Sequence, residues 1–180
     1  MNIPALLSTD ERVKILREVI YREEKLNVNQ MAKALRLSNG MISKYFNYLC
    51  KERVMKKTGK DFRIQDNVRT KALKILLNLD MFDMTLFKKY RFVKSAGLYG
   101  SMAHGTNTER SDVNLWIYTE KTKEEDMARL TSDLRKKQGN IRPLYLTDER
   151  IVHLKSEDVV FYHTLIFGSI IVYGDGIEAV

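Results

Sequence analysis

Seven residues near the middle of the chain constrain its fold most. Over 112–118 the sequence runs Asp112-Val113-Asn114-Leu115-Trp116-Ile117-Tyr118, and side chains two apart in a strand share a face. Asp112 and Asn114 therefore point one way, while Val113, Leu115 and Ile117 point the other. A second strand is expected over 93–99, ending in the turn Gly100-Ser101. Small residues there let a phosphate approach the backbone N–H groups of the following helical turn. The pattern demands a sheet in which two ligand-type side chains share a strand end with an anion-sized turn.

The string Gly100-Ser101, a spacer, then Ser111-Asp112-Val113-Asn114-Leu115 resembles the signature of the DNA polymerase beta-like nucleotidyltransferase superfamily, in particular its minimal branch. There the second strand reads Ser-Asp-x-Asp-Leu. The resemblance covers about residues 90–176. It implies two Asp residues which, with a third carboxylate on a later strand, hold two divalent ions that activate an attacking hydroxyl and stabilise the leaving pyrophosphate. Gly100, Ser101 and Ser111 take the nucleotide-binding positions, Asp112 the first catalytic and metal-binding carboxylate, and Asn114 the second.

Asn114 is a departure with a physical cost, because hard divalent ions between phosphates are bound chiefly by anionic oxygens and an amide offers one neutral carbonyl. The third acid is expected on the strand over 140–146, Asn-Ile-Arg-Pro-Leu-Tyr-Leu, which has none. Asp148 and Glu149 follow, but they read as the first turn of a helix capped by Thr147, where acidic residues favour the dipole. The site is thus expected to be degenerate, with Asp112 a weak metal ligand. Mg²⁺ and an NTP are implied only if Asp148, Glu109 or a partner chain restores the missing charge.

At 180 residues with 44% hydrophobic side chains, the chain has room for one ordinary domain or two small ones. No apolar run of membrane-spanning length and no secretory leader are seen, so a cytoplasmic location without membrane contact is expected. The lone Cys50 leaves no internal disulfide or multi-Cys metal site and reads as a small buried hydrophobe. His153 and His163 lack partners at zinc-ligand spacing, and His104 reads equally as a ligand contact or a water-facing loop residue. The net charge of +8 is uneven: residues 1–66 hold fourteen Lys and Arg against eight acids, and within them residues 33–63 hold nine against two. Such a concentration suggests a phosphate-facing surface, with a solvated charged face as the alternative.

Within residues 1–66, Ser8-Thr9-Asp10-Glu11 has capping-box form and opens a first helix through Val13, Ile15, Leu16, Val19 and Ile20. Asn27 or Asn29 caps a short second helix, Arg36-Leu37 makes a turn, and Ser38 caps a third helix through Ile42, Tyr45, Phe46, Leu49 and Cys50. A hairpin with Thr58-Gly59-Lys60 at its turn follows. Two short helices with a tight turn read as helix-turn-helix, and the hairpin as a wing. The string over 28–38 resembles the winged helix-turn-helix of prokaryotic transcription regulators.

That resemblance implies that double-stranded DNA meets the front of the third helix, at Ser38, Asn39, Met41, Ser43, Lys44 and Asn47, and the wing at Lys56, Lys57 and Lys60. Amide and ammonium groups match base edges and phosphates, although Ser38 also reads as a cap and Met41 as core. Tyr45 and Phe46 read as interior, as does Trp116. The expected architecture is α+β in two domains: a winged helix-turn-helix at 1–66, connecting helices at 67–89, and a small nucleotidyltransferase-like mixed sheet with flanking helices at 90–180. The expected function is a DNA-binding transcriptional regulator, a homodimer whose second domain is a pseudoenzyme used for dimerisation or for sensing a nucleotide ligand. The competing expectation is a metal-dependent nucleotidyltransferase, antitoxin-like, that modifies a protein or RNA acceptor.

Overall fold

The computed structural model describes residues 1–83, 85–137 and 139–177. Its chain contacts divide into two units, one comprising Met1–Leu77 with Asn107–Arg110, the other Asn78–Thr106 with the described residues from Ser111 onward.

The first unit opens with a single helical turn, α1 (Ile3–Leu6), capped by Asn2; the sequence pattern did not announce it. In α2 (Asp10–Val19) the N-cap is Thr9, whose hydroxyl accepts from Arg12 N–H at 3.3 Å. The N-cap therefore lies one residue later than expected, with Arg12 rather than an acid three residues on, so no capping box forms, and Ser8 instead donates to the Ala5 carbonyl. Asn27, not Asn29, caps α3 (Val28–Leu35), its side-chain oxygen accepting from Asn29 and Gln30 N–H. Arg36 then turns the chain with φ 56°, and Ser38 caps α4 (Asn39–Lys51), accepting from Met41 N–H. The strands β1 (Met55–Thr58) and β2 (Asp61–Ile64) form an antiparallel hairpin with Thr58 opposite Asp61.

One core fastens these pieces. Ile15, Leu16, Ile42, Phe46, Leu49 and Met55 are fully buried, and Phe62 from the hairpin meets Phe46 edge-on at 5.0 Å. Tyr45 is buried as expected, its hydroxyl donating to the Leu6 carbonyl. Cys50 packs against this core, and burial raises its thiol pKa. Met41 is exposed rather than interior. The helix α5 (Val68–Asp80) begins behind the capping side chain of Asn67 and adds Leu73 and Leu77. Its buried Lys74 donates to the Asn107 carbonyl, and Arg22 pairs with Glu109 at 2.5 Å. The short 107–110 segment is thus anchored within this unit.

The second unit is a four-stranded sheet. After α6 (Thr85–Lys88) come β3 (Val93–Leu98), α7 (Ser101–His104) and β4 (Val113–Thr119). There follow α8 (Glu124–Lys137), β5 (Ile141–Leu146), α9 (Asp148–Glu157), α10 (Val159–Gly168) and β6 (Ile170–Tyr173). The helical piece expected over 84–90 begins on Met84, which lies outside the described residues. Strand order is β5-β4-β3-β6, with β4 parallel to β5 and the other neighbours antiparallel. Pro143 sits on the edge strand β5, where its missing N–H costs no ladder bond.

Both faces of β4 are covered. Val113, Leu115 and Ile117 join Ala96, Leu98, Leu130 and Ile141 on one side, while Trp116 and Tyr118 join Leu146, Ile151 and Leu165 on the other. The face that starts with Asp112 and Asn114 therefore turns apolar after two residues, which confines its polar chemistry to the start of the strand. Trp116 lies over Gly97, where any Cβ would collide with the indole, and its Nε1 donates to Ser169 Oγ at 2.9 Å. Thr147 caps α9 as expected.

Candidate functional site

The turn at the end of β3 is set by backbone conformation. Gly100 has φ 62° and ψ −141°, a region that side chains disfavour, and a Cβ there would lie 3.1 Å from Asn114 Nδ2. The turn and the second ligand position are thus brought side by side. Tyr99 N–H donates to the Asn114 carbonyl, and His104, exposed, donates from Nδ1 to the Gly100 carbonyl at 2.7 Å. Ser101 opens α7, and the Ser111 carbonyl accepts from Asn140 Nδ2 at 2.6 Å.

Asp112 is engaged. Its Oδ2 stands 3.0 Å from Nε of Arg142 on β5, and the parallel register sets Arg142 directly beside Asn114. Arg142 thus occupies the strand where a third carboxylate was sought. The two other acids considered for rescue are committed elsewhere. Asp148 accepts the Tyr118 hydroxyl, which with burial pushes the phenol up to about 12, and Glu109 pairs with Arg22. Among the described residues no group of three His, Cys, Asp or Glu side chains is placed to hold a metal. The ions that such a site uses do not fit the donors present here, one paired carboxylate and one amide.

Arg142 is the residue that sequence reasoning passed over. Its signal lay in the register: if 112–118 and 140–146 pair as parallel neighbours, the residue two before Leu144 falls beside Asn114.

In the first unit, Asn39, Ser43 and Asn47 lie four residues apart along one stripe of α4 and, with Lys57 and Lys60 of the hairpin, line a concavity of about 550 Å³. Lys57 faces it because it pairs with Phe62, whereas Lys56 pairs with Arg63 and lies on the opposite face of the hairpin. Ser38 and Lys44 belong to the other flank of α4, beside Arg12 and Met41, in a hollow of about 480 Å³. Lys44, Lys56, Lys57 and Lys60 are exposed and enter no ion pair among the described residues.

A Gly-Ser turn facing an Asp-x-Asn strand, on a mixed sheet flanked by helices, defines a nucleotidyltransferase-type domain. The family model described as polymerase beta, nucleotidyltransferase matches residues 84–176, just over half of the chain, and the chain belongs to that family. A solved structure of a proposed nucleotidyltransferase from Sulfolobus solfataricus is similar over 58% of this chain and 83% of its own, at 14% identity and a TM-score of 0.36. No curated protein matches the chain. Among the described residues no helix is long and apolar enough to cross a membrane.

Proposed function

We propose that this chain is a DNA-binding transcriptional regulator, prokaryotic and cytoplasmic, in which a winged helix-turn-helix at 1–66 precedes a nucleotidyltransferase domain that has kept its fold and lost its chemistry. The observation that carries the reading is the concavity between α4 and the hairpin. Its amides and hydroxyl are chemically matched to base edges, and the unpaired lysines around it to phosphates. Residues 67–89 connect it to the second domain, 90–180, which serves dimerisation or ligand sensing.

A homodimer provides the paired half-sites that single winged domains need for affinity. We assign that contact to α10, whose Val160 and Phe167 are 80% and 78% exposed, and to the uncharged edge strand β6 that follows it. Soluble proteins rarely leave such apolar surface uncovered, and edge strands are ordinarily guarded by charge.

The test is duplex DNA binding by the full chain at low salt. Replacing Lys57 and Lys60, which line the concavity, together by Ala should weaken binding by at least about tenfold, as expected for losing two phosphate contacts. Absent or undiminished binding refutes the reading. Labelled NTP with Mg²⁺ or Mn²⁺ tests the lost chemistry: Asp112-dependent labelling or pyrophosphate release would establish an active nucleotidyltransferase instead.

A further inference from the structure

We propose that Arg142 is a built-in cation that takes the place of divalent metal in this nucleotidyltransferase site, so that the domain excludes Mg²⁺ and Mn²⁺ rather than merely binding them poorly. The inference deepens the reading of the second domain as inactive and rests on it, but is independent of DNA binding.

Three observations converge on it. The guanidinium Nε is 3.0 Å from Asp112 Oδ2, the one carboxylate at the start of β4. Register places Arg142 beside Asn114 on the neighbouring strand, on the sheet face that carries positions 112 and 114. Asn114 itself lies close to the Gly100 turn, so the turn and the second ligand position sit together. Asp112 and Arg142 cancel in formal charge and Asn114 adds none, so the cluster presents no net negative charge to an ion that requires it. A divalent ion reaching Asp112 would have to displace a guanidinium or sit within a few ångströms of it, where like charges repel. Loss of a carboxylate alone weakens a metal site. A positive charge held beside Asp112 opposes the metal actively.

The distinction is measurable. Mn²⁺ binding to the full chain is followed by the loss of the free-ion electron paramagnetic resonance signal, for wild type, N114D, N114D/R142Q and N114D/R142D. Wild type and N114D should leave the free signal essentially unchanged. N114D/R142Q, with two carboxylates and no guanidinium, should bind at least about tenfold more tightly than N114D, and N114D/R142D more tightly still, since each added anionic oxygen strengthens a hard-cation site. A rise in melting temperature with Mn²⁺ in these two variants alone is the second readout. Because N114D/R142D gathers three like charges and can fail to fold without metal, the comparison of N114D with N114D/R142Q carries the test. Equal affinity of those two variants, or saturable Mn²⁺ binding by wild type that D112N abolishes, overturns the proposal.

Discussion

Two clusters, one in each unit, treat charge in opposite ways. Around α4 and the hairpin, Lys44, Lys56, Lys57 and Lys60 stand exposed without acidic partners among the described residues. At the Gly100 turn the remaining carboxylate, Asp112, is met by Arg142 at 3.0 Å. Unpaired charge on a surface costs little and stays available to a partner, whereas a paired charge is already spent on its neighbour. On the proposed reading, the family to which the second unit belongs is a poor guide to what this chain does.

The largest effects are expected in the two cores, each of which holds its own unit together. Phe46→Ala should cost about 3–5 kcal/mol, as for a fully buried aromatic truncated to a cavity, and should abolish DNA binding through unfolding of the first unit, visible by circular dichroism. Gly97→Ala should cost about 1–3 kcal/mol through overpacking against Trp116, read as a lowered denaturation midpoint.

A third prediction concerns alkaline pH. Burial raises Tyr21 to about 12 and, joined by its bond to Asp133, Tyr90 likewise; in Tyr118 the bond to Asp148 leads and burial adds, again to about 12. Each folded phenol holds its proton above the pH at which the unfolded one, near 10, releases it. Their stabilising contribution is therefore complete below pH 10 and is lost as pH rises from about 10 toward 12. Chemical denaturation midpoints should be flat with respect to these groups below pH 10 and fall steeply above it. A midpoint that rises over that window would contradict the assignment.

The smallest effect sharpens the contrast most. Asp112→Ala with Arg142→Ala removes an exposed pair, with side chains 41% and 72% accessible. It should change stability by less than about 1 kcal/mol and leave DNA affinity alone.

Much of this was legible in the sequence, for identifiable reasons. Alternation in β4, the caps Ser38 and Thr147, and the helix–turn–helix–hairpin order of the first unit follow from local periodicity and capping chemistry, which a single sequence displays. The N-terminal details were not. Ser8 and Thr9 are equivalent as capping residues until α1 fixes which one faces Arg12 N–H. Met41 falls at the margin of the apolar stripe of α4, where spacing alone does not decide exposure. At the site, the absence of a third acid was plain, but the role of Arg142 was hidden because it depends on the β4–β5 register, a long-range property. The separation of Lys56 from Lys57 likewise required the hairpin pairing.

On the proposed reading, the exposed lysines of the first unit, and not the Asp112–Arg142 pair of the second, face duplex DNA. The most direct test is the salt dependence of duplex DNA affinity for wild type, for Lys56, Lys57 and Lys60 replaced together by Ala, and for Asp112 and Arg142 replaced together by Ala. The lysine variant should lower the magnitude of the logarithmic slope by about two to three, since each lost phosphate contact removes about 0.9, and the Asp112–Arg142 variant should leave it unchanged. An unchanged slope in the lysine variant, or a reduced one when Asp112 and Arg142 are removed, would contradict the account.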